Sequence, residues 1–255
     1  MAAPVLMGIV NVTPDSFSDG GETAGAEAAV ARGLELVAQG AAIIDVGGES
    51  TRPGAGPVAV EEELRRVTPV IDALAAEGIC VSVDTRHARV METALAAGAR
   101  VINDVTALSG DGRAMPVAAA SDAGIVLMHM TGEPGTMNVR PVYGDVVAEV
   151  RDYLSGRIEA CLAAGISEKR LAIDPGIGFG KHMPDNFRLI EKLDVLCELG
   201  LPVLVGVSRK IGKAPDPRDR LAESLHWGRM AVDNGAAILR VHDVAETAEA
   251  LSGRA

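Results

Sequence analysis

Short apolar runs alternate along this chain with longer segments in which apolar residues recur at helical spacing. The runs are continuous and rich in Val, Ile and Leu, which is typical of strands buried on both faces of a parallel sheet. Eight strands are predicted, over residues 5–12, 43–46, 79–83, 101–102, 125–128, 171–174, 203–205 and 237–239. Between them the spacing predicts amphipathic helices, among them 26–39, 87–97, 145–164, 186–199 and 218–234, with a short terminal helix after the last strand.

The regular alternation of eight strands with eight helices defines the predicted fold class, which is α/β with a parallel sheet. No linker, low-complexity tract or break in composition interrupts the alternation. Eight such units close into a (β/α)8 TIM barrel, which we expect to occupy residues 1–255 as a single domain. An open doubly wound sheet is the alternative, but it would leave one strand at an unprotected edge, and no predicted strand resembles an edge.

Composition narrows the class of partner. Because 48% of the residues are hydrophobic and only 2% are aromatic, the core must be aliphatic, which suits parallel strands. The net charge of −11 argues against nucleic acid or an anionic membrane as the main partner. The three cysteines are scattered, the N-terminus lacks a basic segment, and no apolar run approaches the ~20 residues of a membrane span. We therefore expect a soluble, cytoplasmic protein.

The stretch 171–181, Leu-Ala-Ile-Asp-Pro-Gly-Ile-Gly-Phe-Gly-Lys, places a carboxylate at the end of a buried strand. Pro175 cannot donate to a ladder, so the strand should stop at Asp174. The glycines that follow would let a ligand approach the backbone closely. One such aspartate could equally cap the next turn, so the interpretation depends on how often the pattern recurs.

The pattern recurs at the ends of most predicted strands. In a TIM barrel the C-terminal strand ends surround one mouth, where the active site lies. The polar residues expected there are Asn11, Thr51, Arg52, Asp84, Asn103, His129, Asp174, Lys210, Arg240 and His242. Each alone could be a turn residue or a surface ion-pair partner, but their convergence at one mouth favours a binding site.

The chemistry of these side chains suggests a ligand with two parts. Asp84, Asn103 and Asp174 offer acceptors and one amide, which suit a flat heterocycle with several N–H groups. Positive charge, which suits a phosphate or diphosphate, comes from Arg52, Lys210, Arg240 and His242. The mouth should therefore bind a nitrogen heterocycle that carries an anionic leaving group.

Seven stretches, in order over nearly the whole chain, together resemble the dihydropteroate synthases, a family of pterin-binding TIM barrels. They lie at 11–21, 45–54, 82–85, 102–105, 174–181, 208–210 and 240–244, and the first two are long and specific. The resemblance implies condensation of 6-hydroxymethyl-7,8-dihydropterin diphosphate with p-aminobenzoate, which yields 7,8-dihydropteroate and diphosphate in folate biosynthesis.

The resemblance also implies roles for individual residues. The pterin would be held by Asp84, Asn103, Asp174 and Lys210, with Arg240 over its face and with Met128 and Gly206 among the other substrate contacts. The p-aminobenzoate pocket, where sulfonamides compete, would be shaped by Thr51, Pro53, Phe179, Ser208 and Lys210. The diphosphate would face Asn11, Arg52, Arg240 and His242, and Asn11 would also bind Mg²⁺ as cofactor.

Two loops would close over this site, the Thr51 loop and the loop that carries Asp15, Phe17, Ser18 and Asp19. The residues assigned to catalysis are Asp19, Arg52, Lys210, Arg240 and His242. Family precedent is a homodimer packed through outer helices.

Two other functions remain possible from the sequence. A pterin-binding methyltransferase domain would share the barrel, but it has no use for the two long loops and would need a corrinoid partner. A catalytically impaired paralogue would bind pterin without turnover. The impaired paralogue is considered because this sequence differs from the usual family sequence at a few places. These are Ile211-Gly-Lys-Ala-Pro, Glu223-Ser224, His182 and Asp185-Asn186.

Overall fold

The structure is a computed structural model that describes residues 3–13, 21–49, 56, 58–132, 142–212, 216 and 219–253. The strands are β1 Val5–Asn11, β2 Ile43–Gly47, β3 Val81–Asp84, β4 Val101–Asp104, β5 Gly124–Met128, β6 Leu171–Asp174, β7 Leu204–Val205 and β8 Ile238–Val241. The helices are α1 Gly21–Ala38, α2 Val60–Ala76, α3 Ala88–Ala96, α4 Ala114–Ala119, α5 Val146–Ala163, α6 Met183–Glu191, α7 Leu193–Cys197, α8 Leu221–Asp233 and α9 Val244–Ser252.

All eight strands belong to one parallel sheet, in the order β6-β5-β4-β3-β2-β1-β8-β7. The two ends of the sheet meet at Ile173 of β6, which forms a parallel bridge with Val203 and donates its N–H to Pro202 O at 3.0 Å. The predicted TIM barrel is therefore confirmed, and β6 and β7 form its weakest seam.

A few element boundaries differ from the prediction. The helix expected at 186–199 begins at Met183 and is divided into α6 and α7, because Lys192 leaves the helical region with φ −114° and ψ 30°. Helix α4 has only six residues, which is too short to show a helical period in the sequence. Strand β8 extends to Val241, so Arg240 lies within the strand rather than after it.

Apolar side chains pack against the barrel strands on the outside and fill the N-terminal half of the barrel interior. Outside, the helices bury one stripe against the strands, as α2 does with Val67, Val70, Ile71 and Leu74. Inside, Met7, Val126 and Leu204 form a separate cluster at the N-terminal half of the barrel. No helix in the described part of the chain is long and apolar enough to span a membrane.

This arrangement leaves the C-terminal half of the interior to polar residues. Ile43, Val101, Ala172 and Ile238 are partly buried and pack against the apolar cluster. Strand side chains alternate between the two faces of a sheet, so the residues two positions further along also point inward, and these are Asp45, Asn103, Asp174 and Arg240. The candidate site occupies that level.

Candidate active site

A layer of hydrogen-bonded polar side chains crosses the barrel interior. Arg240 donates from Nε to Asp45 Oδ2 and from Nη2 to Asp84 Oδ2, each at 2.6 Å. Asn103 Nδ2 donates to the same Asp45 oxygen at 3.1 Å. Strand β1 separates β8 from β2, and β3 separates β2 from β4. Side chains that bond across an intervening strand must point into the barrel, so these four residues line its interior.

Burial and neighbouring charges shift the pKa values of Asp84 and Arg240 in this layer. Burial raises the pKa of Asp84 to about 7, although the Arg240 guanidinium acts in the opposite direction. Burial also disfavours the charge on Arg240, but the carboxylates of Asp45 and Asp84 outweigh it and raise the arginine pKa. Arg240 is therefore a permanent cation, whereas burial makes the Asp84 carboxylate easier to protonate, and an N–H donor on a ligand would favour its ionised form.

Asp174 stands at the end of β6, as predicted. The side chain is buried, and its Oδ1 accepts from Gly176 N at 2.7 Å. Burial raises the pKa of the Asp174 carboxyl, and the positive charge of Lys210 is the strongest effect in the opposite direction. The strand holds Asp174 in place, since its backbone O accepts from His129 N at 3.0 Å.

Lys210 and Phe179 meet at the mouth. Lys210 Nζ lies 4.3 Å from the centroid of the Phe179 ring, a cation–π contact. Burial lowers the pKa of Lys210 to about 8, while Asp174 supports its charge. The Phe179 ring packs with Val105 and Met128, so one wall of the mouth is apolar and a cation lies over it.

Gly206 lies beside two of the cations. A Cβ atom at this position would be 3.5 Å from Lys210 Nζ and 3.8 Å from Arg240 Cβ. Gly206 therefore lies at the mouth next to Lys210 and Arg240, and its role in substrate binding stays a prediction.

Ser208 and His242 form a second polar pair. Ser208 Oγ lies 3.0 Å from His242 Nδ1 and accepts from His242 N at 3.2 Å. Because the hydroxyl already accepts from the backbone, the pair favours a serine that donates to Nδ1 and an imidazole that carries its proton on Nε2.

His242 differs from the sequence prediction, which counted it among the positive charges. Burial, with Arg209 and Arg240 adding to it, lowers the pKa of His242 to about 3. The imidazole is therefore neutral before a ligand binds, and its contribution to an anion site is an N–H donor rather than a charge.

Arg209 joins the loops after β7 and β8. Its guanidinium donates to Asp243 at 3.2 Å from Nε and 2.5 Å from Nη2, and its backbone N donates to Ser224 Oγ at 2.8 Å. The backbone has φ +60°, a conformation that non-glycine residues rarely adopt. Such local strain is held by the surrounding bonds, and here it lies between Ser208 and Lys210.

Of the remaining predicted site residues, the structure describes Asn11 but not the residues of the two long loops. Asn11 ends β1 beside Gly47 of β2, so it reaches the mouth as predicted. Residues Phe17, Asp19, Thr51, Arg52 and Pro53 lie outside the described residues. The base of the Thr51 segment is described: Glu49 accepts from Arg86 Nε and Nη2 at 3.2 Å each and from Val58 N at 3.3 Å. This bonding ties together the two ends of the segment that carries Thr51 and Arg52.

Sequence reasoning missed two residues. Asp45 belongs to a predicted strand and to the 45–54 stretch but not to the predicted site, whereas its register relative to Ser82 and Ile9 puts it inside the barrel with Arg240. A carboxylate within an otherwise apolar strand was the available signal. Lys181 was noted only as the end of a glycine-rich stretch, although its side chain is 5% exposed and bonds to several groups near Asp174.

The fold and this site define a TIM-barrel enzyme that binds a pterin. The model of the family described as "Pterin binding enzyme" matches residues 7–242. A dihydropteroate synthase of Neisseria meningitidis serogroup C is 48% identical over 97% of this chain and 90% of its own length.

Two solved structures of Xanthomonas albilineans dihydropteroate synthase are also similar. One, with 4-aminobenzoic acid, is 53% identical with a TM-score of 0.91, over 98% of this chain and 91% of that one. The other, in complex with 7,8-dihydropteroate, is 49% identical with a TM-score of 0.88, over 98% and 92%. This chain belongs to the dihydropteroate synthase family, so the predicted family is confirmed and the comparisons do not support the methyltransferase alternative.

Proposed function

We propose that this chain condenses 6-hydroxymethyl-7,8-dihydropterin diphosphate with p-aminobenzoate, with the heterocycle held in the barrel and the diphosphate at its mouth. The observation that carries the assignment of residues is the buried layer of Asp45, Asp84, Asn103 and Arg240, closed at the mouth by Asp174 and Lys210. Carboxylate and amide groups at this depth match the N–H groups and the ring acceptors of a pterin.

Binding would order the charges of the layer. Ring N–H and amino groups would donate to Asp84 and Asp174, whose pKa values burial raises, and would favour their ionised forms. Charge-assisted hydrogen bonds of this kind contribute about 1.5–3 kcal/mol each. Arg240, which the two carboxylates hold as a cation, would lie over the ring.

The reaction needs no protein nucleophile. The arylamine nitrogen forms a bond to the pterin methylene while the methylene–oxygen bond breaks, the electron pair leaves with diphosphate, and the new secondary amine loses a proton. Negative charge accumulates on the departing oxygen, so fixed donors at the mouth stabilise the transition state. We assign that part to Arg52, Arg240 and the N–H of His242, and we assign Asp19 to the closing loop.

Mg²⁺ fits the donor set of the mouth. The ion prefers hard oxygen ligands, keeps several waters and is often bound through one or two protein oxygens together with substrate phosphates. The side-chain oxygen of Asn11, at the end of β1, would provide one such ligand. Mg²⁺ bound there with the diphosphate would neutralise part of the charge of the leaving group.

The p-aminobenzoate pocket is assigned to Thr51, Pro53, Phe179, Ser208 and Lys210. The apolar wall of Phe179, Val105 and Met128 supports this placement, because a benzene ring needs such a surface. Competition by sulfonamides in this pocket, a homodimer and a cytoplasmic location stay predictions.

An assay with purified protein tests the proposal. The protein is incubated with the pterin diphosphate, p-aminobenzoate and Mg²⁺ while diphosphate release is followed. We expect release that requires the arylamine and falls when the metal is chelated. Tight pterin binding without release would instead identify the impaired paralogue.

A further inference from the structure

Lys181 is a buried amine that is bonded to neutral acceptors. Burial lowers its pKa to about 7, while the charge of Asp174 acts in the opposite direction. Its Nζ lies 2.9 Å from His129 Nδ1, 3.0 Å from Gly176 O, 3.0 Å from Phe179 O and 3.3 Å from His129 O. Within the described part of the chain, no carboxylate lies at ion-pair distance from this ammonium. An ammonium has three N–H donors and no acceptor, so a cage of four acceptors suits its charged form.

His129 completes this cage only as a neutral ring. Burial lowers the pKa of His129 to about 3, and the charge of Lys181 lowers it further in the same direction. Nδ1 then carries a lone pair toward the ammonium, and the proton resides on Nε2. The ring is also held by Tyr153, whose ring meets it edge to face with centroids 4.9 Å apart.

The segment that Lys181 holds has little conformational preference of its own. Gly176, Gly178 and Gly180 all have positive φ, of +69°, +83° and +63°. Glycines populate many conformations at similar energy, so a loop built on them takes its shape from tertiary bonds. Side chains supply most of those bonds: Asp174 Oδ1 accepts from Gly176 N at 2.7 Å, Asn186 Oδ1 accepts from Gly178 N at 2.8 Å, and the Tyr143 hydroxyl donates to Gly180 O at 2.8 Å. Lys181 is the side chain that bonds the carbonyls of both Gly176, which also accepts from Phe179 N, and Phe179.

The Phe179 ring is the part of this loop that reaches the mouth. It lies under Lys210 Nζ and against Met128. The backbone of Asp174 is held by β6 and by the bond from His129 N, and among the described residues the only bond from this loop to its side chain is the one that Gly176 N donates to Oδ1.

We propose that Lys181 is a positioning residue for p-aminobenzoate: it fixes the 176–180 loop in the conformation that places the Phe179 ring under Lys210. The inference rests on the p-aminobenzoate pocket proposed above. Lys181 acts on that substrate through Phe179, and the pterin contacts of Asp174 stay with the strand.

The first test is Lys181→Met, which keeps the length and apolar volume of the side chain and removes its donors. We expect the KM for p-aminobenzoate to rise about tenfold or more, the size of one lost charge-assisted bond. The kcat and the dissociation constant of the pterin diphosphate should stay within about threefold. Lys169→Met, at an exposed lysine on the outer surface, is the matched control and should change none of the three.

A double-mutant cycle with Phe179→Leu separates this inference from the proposed pocket. If Lys181 acts through Phe179, Lys181→Met should raise KM by less than about twofold in the Phe179→Leu background. An unchanged KM in Phe179→Leu alone would refute the pocket. A raised KM there would leave the pocket standing, and the role of Lys181 would then be refuted by either of two results: no effect of Lys181→Met in the otherwise unmutated protein, or a fully additive effect in the double variant.

A measurement on the unmutated protein covers the case in which Lys181→Met does not fold. Nitrogen NMR should show His129 as the neutral Nε2–H tautomer. Titration with p-aminobenzoate to saturation should shift the Lys181 and His129 side-chain signals. Signals that do not move at saturation would overturn the proposal.

Discussion

At the scale of single residues, the site is built from buried charged groups that are bonded to one another across the barrel. Arg240 contacts two carboxylates, and Asp45 accepts from both Arg240 and Asn103. Breaking such a pair from one side is costly because the other group stays buried without compensation. Asp45 therefore sets the position of two proposed pterin contacts, although it is fully buried beneath them.

Replacement of Asp45 by Asn tests this position. Asp45→Asn keeps the size of the side chain but removes the charge beside Arg240, so the guanidinium loses one of its two anchors. We expect the dissociation constant of the pterin diphosphate to rise about 10- to 100-fold, as for one weakened charge-assisted bond. Calorimetric titration measures it. The exposed Asp72→Asn on α2 is the control, and equal affinities in the two variants would contradict the assignment.

At the scale of elements, the loops after the strands carry the chemistry and the strands fix where it begins. The β6–α6 loop shows how tightly such a loop can be constrained. Gly176 has φ +69°, and a Cβ there would lie 1.9 Å from the His129 carbonyl oxygen. The glycine is needed both for its conformation and for the close approach of two backbone segments.

Two glycine-to-alanine changes separate these effects. Gly165→Ala, at φ +84° with no atom within 4 Å of the added Cβ, should cost about 1 kcal/mol for the unfavourable φ alone. Gly176→Ala adds a backbone clash and should cost more than about 3 kcal/mol, with loss of p-aminobenzoate binding. Denaturant unfolding measures both free energies. Equal destabilisation by the two variants would show that the clash with the His129 carbonyl oxygen adds nothing to the cost of the unfavourable φ.

At the scale of the whole molecule, the barrel divides its interior between stability and function. Met7, Val126 and Leu204 fill the N-terminal half with apolar packing, whereas the C-terminal half holds charged groups. Buried carboxylates such as Asp174 have raised pKa values, which means that folding alone disfavours their charge. A ligand that pairs with them should stabilise the fold.

Thermal unfolding with and without ligand tests this division of roles. At about 100 times the dissociation constant a ligand adds about 2.7 kcal/mol, and each kcal/mol moves the Tm of a chain of this size by about 2–4 °C. We therefore expect the pterin diphosphate to raise Tm by about 5–10 °C. Asp174→Asn should unfold within about 3 °C of the parent without ligand and show no ligand shift, because it loses binding rather than fold. A full shift in that variant would remove Asp174 from the pterin site.

Much of the site was predictable because strand ends are visible in sequence. Asp84, Asn103 and Asp174 each follow an apolar run, and the structure places all three at or near the mouth. Asp45 was not predicted as a site residue, because its inward direction depends on register with neighbouring strands. The neutral state of His242 could not be predicted either, since it results from burial and from the charges of Arg209, which is distant in the chain, and of Arg240.

The sequence by itself determined the alternation of strands and helices, the barrel and the family, because short-range periodicity and long motifs are properties of the chain in order. Only the tertiary structure decided how the polar residues pair, that Lys181 lies among backbone carbonyls, and that His129 and His242 are neutral. Those outcomes depend on distances between residues far apart in the chain and on exclusion of water, and folding alone creates both.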